Sequence, residues 1–197
     1  FLGTVEFNEH GVRVPEILMP FGPSNLVLSG SAADYAARTT RLTLKGKSLS
    51  IGPIIYFYLP SALKNSDSMP DISPSGIADV DLALTRDELA WNLTGAVNLK
   101  QVSLPVRALR APARAYGRMQ FTENHGEGDI RVRLGAFETS LNPYARDLFT
   151  KSSEFGVYLK QDGIRWENLA KSLATPESVP FLPLSGNGDV SLRIHSA

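Results

Sequence analysis

The sequence has no cysteine, which excludes a disulfide framework, a thiolate nucleophile and a cysteine-based zinc site. A thiol-free chain suits oxidising and reducing surroundings alike, so the redox compartment stays open. There is no excess of either charge: 20 Lys and Arg balance 20 Asp and Glu. No global field therefore draws the chain to nucleic acid or to an acidic surface. Long apolar runs are missing too. The longest, Ile54 to Leu59, is six residues, against roughly 20 for a membrane-spanning helix. No H-E-x-x-H, Walker loop or dinucleotide fingerprint occurs, and neither Ser29-Gly30-Ser31 nor Leu184-Ser185-Gly186 makes the G-x-S-x-G elbow of a hydrolase. The first residue is Phe1, with no initiator Met and no basic, apolar leader. Residues 1–197 are accordingly expected to be a fragment of a longer protein, with any targeting or anchoring segment outside it.

What is present is alternation. A hydrophobic content of 43% over 197 residues can build a core and is too high for a disordered chain. Leu26 and Leu28, Leu42 and Leu44, and Val80, Leu82 and Leu84 each alternate with polar or small neighbours. The same holds for Leu89, Trp91 and Leu93, for Val97 and Leu99, for Ile130, Val132 and Leu134, and for Val190, Leu192 and Ile194. Alternate side chains of a strand point to opposite faces, so each run makes one apolar and one wet face. Thr94-Gly95, Asn124-His125-Gly126 and Gln161-Asp162-Gly163 punctuate the runs at hairpin spacing. The pattern predicts a mainly β protein with an antiparallel sheet of at least ten strands. Helix is expected only near Pro60–Asn65 and over Trp166–Ala174, where Trp166, Leu169, Ala170 and Leu173 have helical spacing and Pro176 ends the run.

Two segments recur. Gly3-Thr4-Val5-Glu6-Phe7 aligns with Gly117-Arg118-Met119-Gln120-Phe121, and Ser75 to Leu84 aligns with Ser185 to Ile194. Offsets of 114 and 110 residues preserve order, which predicts stacked repeat units of about 3–116 and 117–197, the second truncated. With one inserted residue, His10-Gly11 aligns with His125-Gly126. Both histidines are then expected in equivalent turns, and His195 lies at the end of the sequence. No catalytic residue, metal ligand or cofactor is predicted, and the chain is expected not to be an enzyme. A β-rich hydrolase using His10 or His125 is the enzymatic alternative.

Other groupings have ordinary readings. Lys100, Arg107, Arg110, Arg114 and Arg118 form a basic stretch free of acid, which could meet phosphate head groups. A solvated strand edge, kept from aggregating by charge and by Pro105 and Pro112, is the simpler account. Asp79 and Asp81 form one i,i+2 pair, short of the six to eight oxygens calcium takes. Asn92-Leu93-Thr94 fits a glycosylation acceptor but lies inside a strand pattern.

The persistent apolar face needs a cover: a second sheet, closure into a barrel, or an apolar ligand. Its side chains are mostly aliphatic. The residues expected to line it as a lipid-binding surface are Leu42, Leu44, Val80, Leu82, Leu84, Trp91, Leu93, Val97, Leu99, Phe121, Val132 and Leu134.

The phrasing Ser24-Asn25-Leu26-Val27-Leu28-Ser29-Gly30, then Arg41 to Ile51, resembles the AsmA-like proteins of the Gram-negative envelope. So does Leu89-Ala90-Trp91-Asn92-Leu93-Thr94-Gly95-Ala96-Val97-Asn98-Leu99 followed by Gly117-Arg118-Met119-Gln120-Phe121. That family shows an "l-x-l-x-G" strand followed by a Gly-x-apolar-x-Phe strand, and the resemblance spans roughly residues 3–194. It implies a strongly curved, taco-like β-groove in the periplasm, anchored in the inner membrane, that carries phospholipid or another acyl lipid between the two membranes. It further implies an outer-membrane or envelope protein as partner, and no nucleic acid. The alternative is a β-sandwich or β-solenoid segment of a secreted or surface protein with a dry core.

Overall fold

A computed structural model describes residues 2–52, 75–87, 90–104, 111–168 and 186–196. The predicted helix at Pro60–Asn65 lies outside them. Of the second, only Trp166, Glu167 and Asn168 fall within, and they form a helical turn.

Eleven strands follow one another: β1 Leu2–Asn8, β2 Gly11–Phe21, β3 Ser24–Asp34, β4 Thr39–Ser50, β5 Ser75–Asp87, β6 Ala90–Leu104, β7 Ala113–Thr122, β8 His125–Leu134, β9 Phe137–Arg146, β10 Glu154–Arg165 and β11 Asn187–Ser196. They make one open antiparallel sheet in which each strand pairs with its neighbours in sequence. This is the meander that short turns favour, because consecutive strands joined by two residues have no other place to go. Connections alternate between the two ends of the sheet. One end carries the turns at Glu9-His10, Tyr35 to Arg38, Glu123-Asn124 and Asp147 to Ser153. The other carries Gly22-Pro23, Gly135-Ala136 and the longer connections after β4, β6 and β10.

Strict alternation would leave Leu49, Val102 and Ile164 on the wrong side of the sheet. One-residue register shifts correct this, and they occur in seven of the ten strand pairs. In β4 the shift between Gly46 and Leu49 sets three steps against the two from Val80 to Ala78. Leu49 thereby returns to the apolar face, where it is 2% exposed. A bulge of this kind costs ladder hydrogen bonds locally and bends the strand that carries it.

The β4–β5 joint recurs at β10–β11. Ser48 has φ 53° and its N–H donates to Asp79 Oδ1 at 2.8 Å, while the Ile51 N–H donates to the Gly76 carbonyl at 3.0 Å. At the second joint Gly163 has φ 66° and its N–H donates to Asp189 Oδ1 at 2.8 Å, and the Trp166 N–H donates to the Gly186 carbonyl at 3.1 Å. In both, the bulge is followed by a buried aliphatic residue, Leu49 or Ile164. The aspartate satisfies an amide that the bulge removes from the ladder.

The histidines are not equivalent, against the expectation from the alignment. His10 is the second turn residue after β1, and the Asn8 side chain accepts from its N–H and from that of Gly11. His125 is the first residue of β8 and faces Thr122, the place Gly11 takes opposite Asn8. No residue is inserted before the turn; Thr122 in β7 corresponds to Asn8.

Candidate functional site: the apolar face of the sheet

In an antiparallel ladder, residues directly opposite share a face. Register therefore assigns every side chain. Leu42 faces Leu84, Leu44 faces Leu82, and Leu84 faces Leu93. Val80 faces Val97, Ala78 faces Leu99, and Trp91 faces Arg86. Val97 faces Met119, Gly95 faces Phe121, Val132 faces Ala115, and Leu134 faces Phe137. Every side chain singled out from the sequence thus falls on one face, across β4 to β8. The same face continues through Val14, Ile17 and Met19 of β2 to Leu141 of β9, Leu159 of β10 and Leu192 of β11. Leu192 belongs to the alternating run Val190, Leu192 and Ile194 already seen in the sequence; the others escaped the sequence reading because Pro15, Pro20, Pro143 and the bulges break their alternation.

Cover is uneven. On this face the buried aliphatic side chains gather toward the strand ends: Leu49, Ala78, Val102, Ala113 and Ile164 at one end, Val14, Ala145 and Leu148 at the other. Along the middle, Leu42, Leu44, Val80, Leu82, Leu84, Leu93, Val97 and Val132 are all only partly buried. Among the described residues there is no second sheet, since all the strands belong to one open sheet.

The two glycines of the "l-x-l-x-G" pattern have a physical role here. Gly30 and Gly95 have φ of 132° and 119°, and a Cβ on either would run into the facing carbonyl, of Arg41 or of Asp81. Only glycine allows the neighbouring strand to approach so closely at that backbone conformation.

At one end of the face the β9–β10 loop reaches back across the sheet. The Leu148 N–H donates to the Asn124 carbonyl at 3.1 Å, and the Phe149 ring lies 6.2 Å from that of Trp91 on β6. Leu148 is buried beneath this crossing, while Phe149 is 53% exposed.

The opposite face is polar. Lys100 Nζ meets Asp79 Oδ2 at 2.8 Å and Lys45 Nζ meets Asp81 Oδ1 at 3.5 Å. Lys100 and the Ser48 amide hold the Asp79 carboxyl below the usual aspartate value. Asp79 is therefore a structural hydrogen-bond acceptor, and among the described residues no group of three potential ligands could hold a metal ion. Arg118 faces Asp129, and the Tyr144 ring lies between Arg146 and Arg193, at 5.4 and 5.7 Å. The basic stretch is thus divided: Lys100 is paired, Arg114 faces Arg133, and Arg107 and Arg110 lie outside the described residues. A hollow of about 690 Å³ on this face is lined by Arg118, Gln120, His125, Glu127 and Asp129, among others. His10, His125 and His195 are far apart in strand order and do not form a pair. No helix among the described residues is long and apolar enough to cross a membrane. Compared with known proteins, the chain matches no family model, no curated protein and no solved structure.

Proposed function

We propose that the apolar face holds acyl chains, and that the protein is a segment of an AsmA-like lipid conduit in the periplasm of a Gram-negative envelope. The observation that carries this reading is the partly covered middle of the face, from Leu42 to Val132. Strands lie about 4.8 Å apart, so eleven of them span about 50 Å, and about six residues per strand give about 20 Å of height. In projection the face is then on the order of 1,000 Å², and the side chains along its middle keep part of their surface exposed. The register shifts favour a bent sheet whose apolar side forms the groove.

In this reading the chemistry is passive. Aliphatic side chains replace water around the acyl chains, the polar face stays in the periplasm, and no catalytic group or cofactor takes part. An inner-membrane anchor outside the fragment and an envelope protein at the far end complete the proposed path. Phospholipid is the proposed cargo, with other acyl lipids held by the same contacts.

Photocrosslinkers placed at Leu82, Leu93 and Val132 should capture lipid, whereas those at Asp81, Asn92 and Arg131, one residue away on the other face, should not. Native mass spectrometry of the purified protein should show the bound lipid. Equal crosslinking from both faces, or none, would replace the conduit with the dry β-sandwich.

A further inference from the structure

The apolar face carries a charge at one place. Among the described strands, Arg86 of β5 is the one charged side chain whose register puts it on that face, opposite Trp91 of β6 and Thr40 of β4. Arg41, Lys45, Asp81, Arg118 and Asp129 all fall on the wet face. Arg86 ends the run Val80, Leu82, Leu84, at the end of the sheet that the β9–β10 loop crosses. Its guanidinium lies 5.3 Å from the centre of the Trp91 ring, and the Phe149 ring lies 6.2 Å from the same ring. Arg86 and Phe149 are both exposed. Within one step of alternation, aliphatic side chains thus give way to an aromatic ring and a solvated cation. Tryptophan favours a boundary of this kind, with one part apolar and one wet.

We propose that Arg86 binds the phosphate of a phospholipid whose acyl chains lie along β4 to β6, with Trp91 packed where chains meet headgroup. This rests on the acyl-binding reading above and adds a polarity to it. Headgroups lie at the Arg86 end, and the chains run toward Val80 and Ala78. Charge complementarity carries the inference: an ion gains nothing from acyl chains, whereas the donor fork of arginine matches phosphate oxygens. The dimensions agree. Arg86 and Val80 are six residues apart, about 20 Å at about 3.4 Å per residue, and the acyl chains of one leaflet occupy about 15 Å. Beyond Val80 the face closes over the buried Ala78 and Leu49. A single exposed charge contact contributes little, so Arg86 orients a lipid without trapping it.

The test compares dioleoyl phosphatidylglycerol with dioleoylglycerol, which has the same chains and no phosphate. Arg86→Gln should weaken binding of the phospholipid about two- to fivefold, the range of an exposed ion pair, and leave the diacylglycerol unchanged. Arg86→Lys should keep most of the difference between the two lipids, and Arg41→Gln, on the wet face of β4, all of it. Circular dichroism checks the fold of each variant. On the unaltered protein, a phospholipid with a photoreactive group at its chain end should label the surroundings of Val80 and Val97. One with the group beside its phosphate should label those of Trp91. The proposal falls, with acyl binding intact, if Arg86→Gln weakens both lipids equally or neither, or if both photoreactive groups label the same residues. It falls too if inorganic phosphate alone binds as tightly as the phospholipid. If the unaltered protein binds neither lipid, the acyl-binding reading falls and this inference with it.

Discussion

Replacing Leu82 by aspartate puts a carboxylate in the middle of the apolar face, between Leu44 on β4 and Gly95 on β6. The stability cost separates the open face from the dry core. Full burial of a leucine side chain contributes about 1.5–3 kcal/mol. Leu82 is only partly buried, so losing it should cost about 1–2 kcal/mol, provided the new carboxylate can reach water on the uncovered side. Beneath a second dry layer the same carboxylate would be desolvated, which adds several kcal/mol per ion. Urea denaturation of the lipid-free protein distinguishes about 2 from above 5 kcal/mol. Lipid binding should fall sharply in the same variant, because the charge now lies among acyl chains. Asp81→Asn, one residue away on the wet face, should change neither quantity appreciably. A Leu82→Asp protein that is unfolded, or one that is folded and binds lipid as before, would refute the reasoning.

Three further outcomes follow from particular contacts. Gly95→Ala should cost on the order of 1–3 kcal/mol or more, because it combines an unfavourable φ with a collision at the Asp81 carbonyl. Gly163→Asn, at φ 66° with nothing near its Cβ, should cost much less, and denaturation midpoints compare the two. Because the Asp79 carboxyl is held below its usual value, its bond to Ser48 should survive as pH falls through the ordinary aspartate pKa and be lost only at lower pH, as the depressed folded-state value is passed; faster amide exchange at Ser48 in that lower range checks this. His10→Ala and His125→Ala should leave stability nearly unchanged, and a hydrolytic activity lost with either would overturn the non-enzymatic reading.

Local pattern made some of this legible and not the rest. Leu42, Leu44, Val80, Leu82, Leu84, Leu93 and Val97 could be assigned to one face because period two needs no knowledge of neighbours. The bulges could not be read the same way. A single extra residue between Gly46 and Leu49 inverts the alternation, and its compensation lies in Asp79, on another strand. Asp79, whose i,i+2 spacing with Asp81 falls short of a calcium site, serves as the acceptor for the Ser48 amide at the bulge. The crossing of Phe149 onto Trp91 was equally hidden, since it joins a loop after β9 to the start of β6. The histidine alignment went astray because the repeat His-Gly outweighed the turn length that sets pairing.

The distribution of side-chain types along each strand bears on what the face can hold. Aromatic residues sit toward the strand ends: Phe7, Trp91, Phe121 and Phe155 at one end, Phe21 and Phe137 at the other. Between them the larger side chains of the face are mostly Leu, Val, Ile and Met, interspersed with small residues such as Gly30, Gly95, Ala115 and Gly117. Rigid rings with specific stacking geometry would order a flat, aromatic ligand. Aliphatic side chains impose no such orientation, and their stabilisation scales with area alone. A surface of this kind discriminates poorly between apolar ligands of similar width and does not fix their position along the sheet. Weak positional preference is what a conduit requires, because a chain held tightly at one register would not move to the next.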